Sequence, residues 1–264
     1  MTPITRAHRI YFAFVGLFAL WVGVWGYFVP SEISRSIPWQ VPALHARFIG
    51  AMYLSGMVLM GLALISRHLV EVRTAVPMAA ICTGMLLLVS LLHLNEFDYS
   101  RPPVWFWFAA YIAYPLIGAW LAYSYRPPQP PKSAVAVPDW VRVYLVIQGV
   151  ICIALAVCLF FAPTWMASIW PWRISPLLTQ IYSGPFLSYG IGSLLLARQR
   201  HWVDLRIALA SMLAFAALVL IASYIHLGVF GPLGVSAQLW FGGFAVATAV
   251  LAFLTIRAMQ LGKI

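Results

Sequence analysis

The chain has 264 residues, of which 8% are charged and 63% hydrophobic, and a formal net charge of +10. So little charge cannot cover a water-soluble protein of this length. The sixteen Lys and Arg are scattered at the ends of apolar runs, not gathered in a stripe that would track a phosphate backbone, which argues against nucleic acid as a partner. The runs do not alternate apolar with polar residues as barrel strands do, which leaves an all-α integral membrane protein whose first partner is lipid.

Arg6, His8 and Arg9 precede an apolar stretch over about 10–29. It resembles a signal-peptide core, but no small-residue cleavage site stands out after it, so it is read as a retained first span. Pro30 through His45 breaks the helix and carries Pro38-Trp39, which predicts a surface-lying or partly re-entrant segment. A second span over about 47–65 carries Ala51 and Ser55, a spacing that lets helix backbones approach closely. A short loop follows, Arg67-His68-Leu69-Val70-Glu71-Val72-Arg73, and then a third span over about 75–94 ending in His93. Asn95, Glu96, Asp98 and Arg101 lead to a fourth span over about 104–123. Pro127-Pro128-Gln129-Pro130-Pro131 cannot continue a helix and reads as a semi-rigid spacer.

Beyond the spacer the pattern starts again. Residues 8–124 overlay 141–257 without a gap at an offset of 133, with 26 identities in 117 positions; so apolar a composition gives about 10 by chance. Pro30/Pro163, Pro38-Trp39/Pro171-Trp172, Arg67-His68/Arg200-His201 and His93-Leu94/His226-Leu227 all coincide. Four more spans follow over about 143–162, 180–197, 207–227 and 238–257. The reading is eight transmembrane helices in two tandem four-helix repeats, 1–125 and 139–264, joined by a linker over 126–138. Four spans is an even number, so the copies are parallel, not inverted as in many ion-coupled transporters. Gly184 and Ser188 repeat the small pair of the second span. Such pairs suit packing of these two spans on each other or on the first span of their own repeat.

Twelve of the sixteen Lys and Arg fall on one side, among them Arg126, Lys132 and Lys263; only Arg35, Arg47, Arg101 and Arg173 fall on the other. The excess places both termini in the cytoplasm of a cell (inner) membrane.

No Asp, Glu, Lys or Arg lies in the middle of a span, which argues against a proton-coupled pump or ion channel. Cys82, Cys152 and Cys158 share no metal-ligand spacing. There is no P-loop, dinucleotide fingerprint, H-E-x-x-H or G-x-S-x-G. His93 and His226 end equivalent spans; facing a common axis they would serve as axial haem ligands or hold a metal, and otherwise they anchor their spans. With His45, Arg47, Asn95, Glu96, Asp98 and Arg101 they outline a polar outer cluster that the second copy keeps only as His226. On the other side, Arg67, His68, Glu71 and Arg73 recur as Arg200, His201, Asp204 and Arg206. These loops serve as positive-inside turns or as a docking surface for a cytoplasmic partner or an anionic lipid.

Three functions fit. The first is a non-enzymatic accessory or ligand-binding protein engaging a membrane-protein partner or an apolar or amphiphilic ligand from its outer face. The second is a haem- or quinone-binding oxidoreductase using His93 and His226. The third is a facilitator of a neutral or amphiphilic solute.

Overall fold

The computed structural model describes residues 2–124, 135–231 and 234–262. It is 83% helical, and no strand occurs among the described residues. The α-helices are α1 (Arg6–Phe28), α2 (Ala43–Ile65), α3 (Ala75–Leu92), α4 (Pro102–Ser124), α5 (Asp139–Phe161), the short α6 (Pro163–Ile169), α7 (Pro176–Ala197), α8 (Arg206–Ile225) and α9 (Val235–Leu261). Most of the Pro-rich linker, with Arg126 and Lys132, lies outside the described residues, as does Lys263.

Local chemistry sets the helix ends. Thr5 and Ser175 each accept a backbone N–H three residues on, at His8 and Leu178, and so cap α1 and α7. Proline opens α4, α6 and α7, where its missing N–H costs nothing. Both ends of α1 and α5 stand 133 residues apart, as do the starts of α2 and α7 and of α4 and α9.

Seven segments are long and apolar enough to cross a membrane: Arg6–Phe28, Ala43–Ile65, Leu69–Leu92, Pro102–Ser124, Asp139–Phe161, Arg206–Ile225 and Val235–Leu261. The expected span over 180–197 is a helix, α7, but it is not among the seven. Its composition follows from its position. Thr179, Gln180, Tyr182, Ser183, Ser188, Tyr189 and Ser193 are all buried, and their polar atoms bond to neighbouring helices or to the helix itself, as Ser188 Oγ does to Met78 O at 2.8 Å. A helix wrapped by protein can carry hydroxyls that a lipid-facing helix cannot.

Packing crosses between the halves. α1 lies on α2 and α5 on α7, while α2 packs on α8 and α7 on α3; α3–α4 and α8–α9 complete the two rows. Glycines allow the closest approaches: a Cβ on Gly26 would sit 2.9 Å from Ala46 O, and one on Gly149 3.0 Å from Gly190 O. The small pairs Ala51/Ser55 and Gly184/Ser188 serve the other interface. Ser211 Oγ of α8 donates to Ser55 O at 2.8 Å, and Gly184 faces Cys82 O of α3. Between α2 and α7 the contact is made by large rings, with Phe48 stacked on Tyr182 at 3.8 Å.

At the end of the bundle bearing the N-terminus, each half closes with the same clasp. Ile4 N–H donates to Arg67 O and Leu69 N–H to Thr2 O; Val137 and Trp202 do the same with Arg200 O and Val135 O.

Candidate functional site: a lateral apolar cleft in the second half

A cavity of about 670 Å³ opens between α5 and α9. Ile147, Ile151 and Leu155 form one wall, and Leu239, Val246 and Ala247 the other; Phe186, Tyr189, Met212 and Phe215 of α7 and α8 form the floor. The rim is strongly exposed, Leu239 at 71%, Val246 at 63% and Ile151 at 61%. Gly242 and Gly243 line it on α9, and a Cβ at either would meet nothing within 4 Å. At the far end, away from the N-terminus, Trp170 and Trp240 line it with ring centroids 5.3 Å apart. At the near end Trp140 meets Phe253 at 6.1 Å, so α5 and α9 touch there.

One polar spot interrupts the apolar lining. Tyr144 Oη donates to Gln148 Oε1 at 2.6 Å, and Gln148 Nε2 donates to Ser193 Oγ at 2.8 Å. The other Gln148 hydrogen has only Met212 Sδ, at 3.6 Å, a weak acceptor. A ligand oxygen would be a better partner.

The first half is built on equivalent positions and is closed. Its cavity, partly lined by Val15, Phe18, Ala19, Tyr53, Ala79 and Tyr111, measures about 70 Å³. Phe18, where the second half has Ile151, fills the gap and meets Tyr53, Phe106, Tyr111 and Tyr114 with centroids 5.4–6.4 Å away. Tyr53 and Tyr111 are joined through their hydroxyls, and Tyr11 Oη donates to Tyr114 O at 3.3 Å. Tyr114 corresponds to Ala247, and Ala109-Ala110 to Gly242-Gly243. Each of these exchanges is apolar or aromatic for apolar and shows only in side-chain volume at paired positions; Gln148, standing where the first half has Val15, is a polar exchange that hydropathy does mark.

The outer cluster expected from the sequence divides into separate contacts. His93 Nε2 bonds Gln180 Oε1 at 2.6 Å, and His226 Nε2 bonds Arg47 Nη1 at 2.5 Å. Arg47 and Gln180 are themselves equivalent positions, so each ring pairs with the opposite half and not with the other ring. Arginine can only donate, so His226 Nε2 accepts. Burial, and then the Arg47 guanidinium, hold the His226 pKa below its ordinary value. His45 is buried, with Nδ1 on Tyr182 Oη at 2.8 Å and Nε2 on Arg173 O at 3.0 Å. Arg101 donates to Pro38 O and Ser34 O, both at 2.6 Å, and pins the segment after α1. Asn95, Glu96 and Asp98 are exposed. Asp98 accepts from Ser100 Oγ and Ser100 N–H, which lower its pKa.

The loops at the N-terminal end are also joined across the halves. Glu71 is buried; it accepts the N–H groups of Arg67 and His68 and pairs with Arg206 of α8. His68 Nδ1 lies 3.6 Å from it. The equivalent Asp204 is one methylene shorter. It too is buried, but its Oδ1 has no hydrogen-bond partner. Burial raises its pKa, opposed by Arg73 and His201. Arg73 Nη1 donates to Gln199 Oε1 at 2.5 Å. No group of three or more His, Cys, Asp or Glu that could hold a metal occurs among the described residues.

Comparison with family models, with curated proteins and with solved structures finds no match for this chain.

Proposed function

We propose that this is a multi-pass membrane protein of eight spans, two parallel four-span repeats with both termini cytoplasmic, that binds an apolar or amphiphilic lipid-like ligand in the cleft between α5 and α9. The observation that carries the reading is the cleft itself. Its volume falls within the ~300–1,000 Å³ typical of small-molecule sites, its mouth lies among exposed apolar side chains, and its counterpart is filled. In a bilayer an apolar void of this size would forfeit dispersion contacts along its walls, so a chain-bearing molecule occupies it. The spare Gln148 hydrogen favours one carrying a hydrogen-bond acceptor, such as an ester or a quinone carbonyl. The apolar lining and the single amide argue for binding without chemistry.

A shared haem between His93 and His226 draws no support from rings that each bond a different side chain of the opposite half.

The test is native mass spectrometry and lipid extraction of the detergent-purified protein beside Gly243→Phe, which places a ring in the open space of the cleft. A species retained by the wild type through extensive washing and lost from the variant is the expected result. Identical lipid content in the two proteins overturns the reading.

A further inference from the structure

A second cavity, of about 450 Å³, lies at the N-terminal end of the bundle, remote from the cleft. Arg67, His68, Glu71 and Arg206 line it together with the apolar Leu62, Ile65, Ile207 and Met259. The charges do not cancel. Glu71 accepts two backbone N–H groups and neutralises Arg206, while Arg67 is exposed and no carboxylate lies within ion-pair distance of its guanidinium among the described residues. Arg9, bonded to Leu64 O at 2.7 Å and to Ser66 O at 3.4 Å, adds a further positive charge beside the wall. The equivalent place in the second half holds Gln199, whose amide reaches Arg73. In the first half the residue there is Ser66, whose hydroxyl turns back to Leu62 O at 2.8 Å. Ser66 lines the cavity with a side chain shorter in reach than that of Gln199.

We infer that this cavity binds the phosphate of an anionic phospholipid headgroup, held by Arg67 and Arg206, with the lipid chains along Ile65 and Leu62. The phosphate chemistry follows from the surplus guanidinium charge. A phospholipid fits better than free phosphate because apolar side chains share the lining and run out to Ile65, 74% exposed. The inference rests on the membrane reading but not on the ligand of the cleft.

The experiment is a titration of the whole protein in neutral detergent with phosphatidylglycerol, phosphatidylcholine or inorganic phosphate, followed by native mass spectrometry. Phosphatidylglycerol is expected to bind about tenfold tighter than phosphatidylcholine, and to weaken as salt rises towards ~0.5 M. Arg67→Gln is expected to weaken it about fivefold with phosphatidylcholine unchanged. Ser66→Gln, which reproduces the Gln199 arrangement, should do the same with no change in unfolding temperature in lipid-free detergent. Gly243→Phe leaves phosphatidylglycerol binding intact, so failure of the cleft reading and failure of this one are distinguishable. Equal affinity for the two lipids, or no effect of Arg67→Gln, overturns the inference. Inorganic phosphate at millimolar concentration displacing all phosphatidylglycerol makes the free anion the occupant and overturns the lipid assignment.

Discussion

The two halves share several helix starts and the N-terminal clasp, yet one has a cavity of about 70 Å³ and the other one of about 670 Å³. A few side chains account for the difference. Phe18 and Tyr114 bridge α1 and α4; Ile151, Ala247 and two glycines leave α5 and α9 apart. At the N-terminal end the first half has Ser66, which lines a cavity of about 450 Å³, where the second has Gln199, which accepts from Arg73. Helices with matching starts can thus frame cavities of very different size when the side chains at paired positions change.

The largest effect tests the closed half. Phe18→Ala removes the ring that meets four others, and large-to-small core changes of this kind cost about 3–5 kcal/mol. Unfolding in mixed micelles should show that loss, together with a second lipid bound where the wild type holds none. Gly243→Phe in the open half should change stability by less than about 1 kcal/mol, because its Cβ meets nothing. Equal costs at the two sites would mean that the halves do not differ in packing.

A smaller effect separates the paired carboxylates. Glu71→Gln leaves Arg206 without its counter-charge and should cost about 2 kcal/mol. Asp204→Asn removes a buried carboxylate whose Oδ1 is unpartnered, and should change stability by no more than about 1 kcal/mol at neutral pH. The pKa of Asp204 is raised by burial, so its ionised form opposes folding. That penalty is present above the folded pKa and is relieved as pH falls towards the unfolded value. Asp204→Asn should therefore help most at neutral pH and least in acid. Chemical denaturation of both variants at two pH values checks the contrast.

Elements set by local chemistry were legible in the sequence. Pro30 and Pro163 mark the ends of α1 and α5, and Arg67-His68 and Arg200-His201 mark the turns they recur in, whereas Pro176, which opens α7, and Pro115 and Pro185, inside α4 and α7, gave no such signal. What sets the partners was not. Most helices are apolar on every side, so no stripe tells α2 to pack on α8 in preference to its own neighbour α3. The crossed pairs Arg47–His226, Gln180–His93 and Glu71–Arg206 follow from that packing, and none is visible until it is known. The low hydropathy of α7, visible in Thr179, Gln180, Ser183, Ser188 and Ser193, was the one compositional trace of a central helix.

The polar spot in the cleft gives a finer test. Gln148→Leu removes the amide whose second hydrogen rests on Met212 Sδ and leaves the Tyr144 and Ser193 hydroxyls without that partner. Retention of a ligand bearing an acceptor should fall about fivefold, the worth of about one hydrogen bond, while a saturated hydrocarbon probe should bind as before. Loss of both would mark Gln148 as part of the packing and not of recognition.

The smallest expected effect comes from the paired outer histidines, whose contacts differ in character between the halves. In the first half His93 Nε2 donates to Gln180 Oε1. In the second, His226 accepts from Arg47, and a proton on Nε2 would set two cations against each other. The folded pKa of His226 is lowered by burial and by Arg47, so the unfolded chain takes up the proton first as pH falls below about 6.5. The contribution of this contact is therefore complete above that pH and is lost as pH falls through the folded pKa. Lowering the pH from about 7.5 to about 5 should reduce the unfolding temperature modestly. His226→Gln, whose carbonyl accepts from Arg47 at any pH, should flatten that slope, and His93→Gln should leave it unchanged. An unaltered slope in His226→Gln would assign the acid sensitivity to another group and break the distinction between the two histidines.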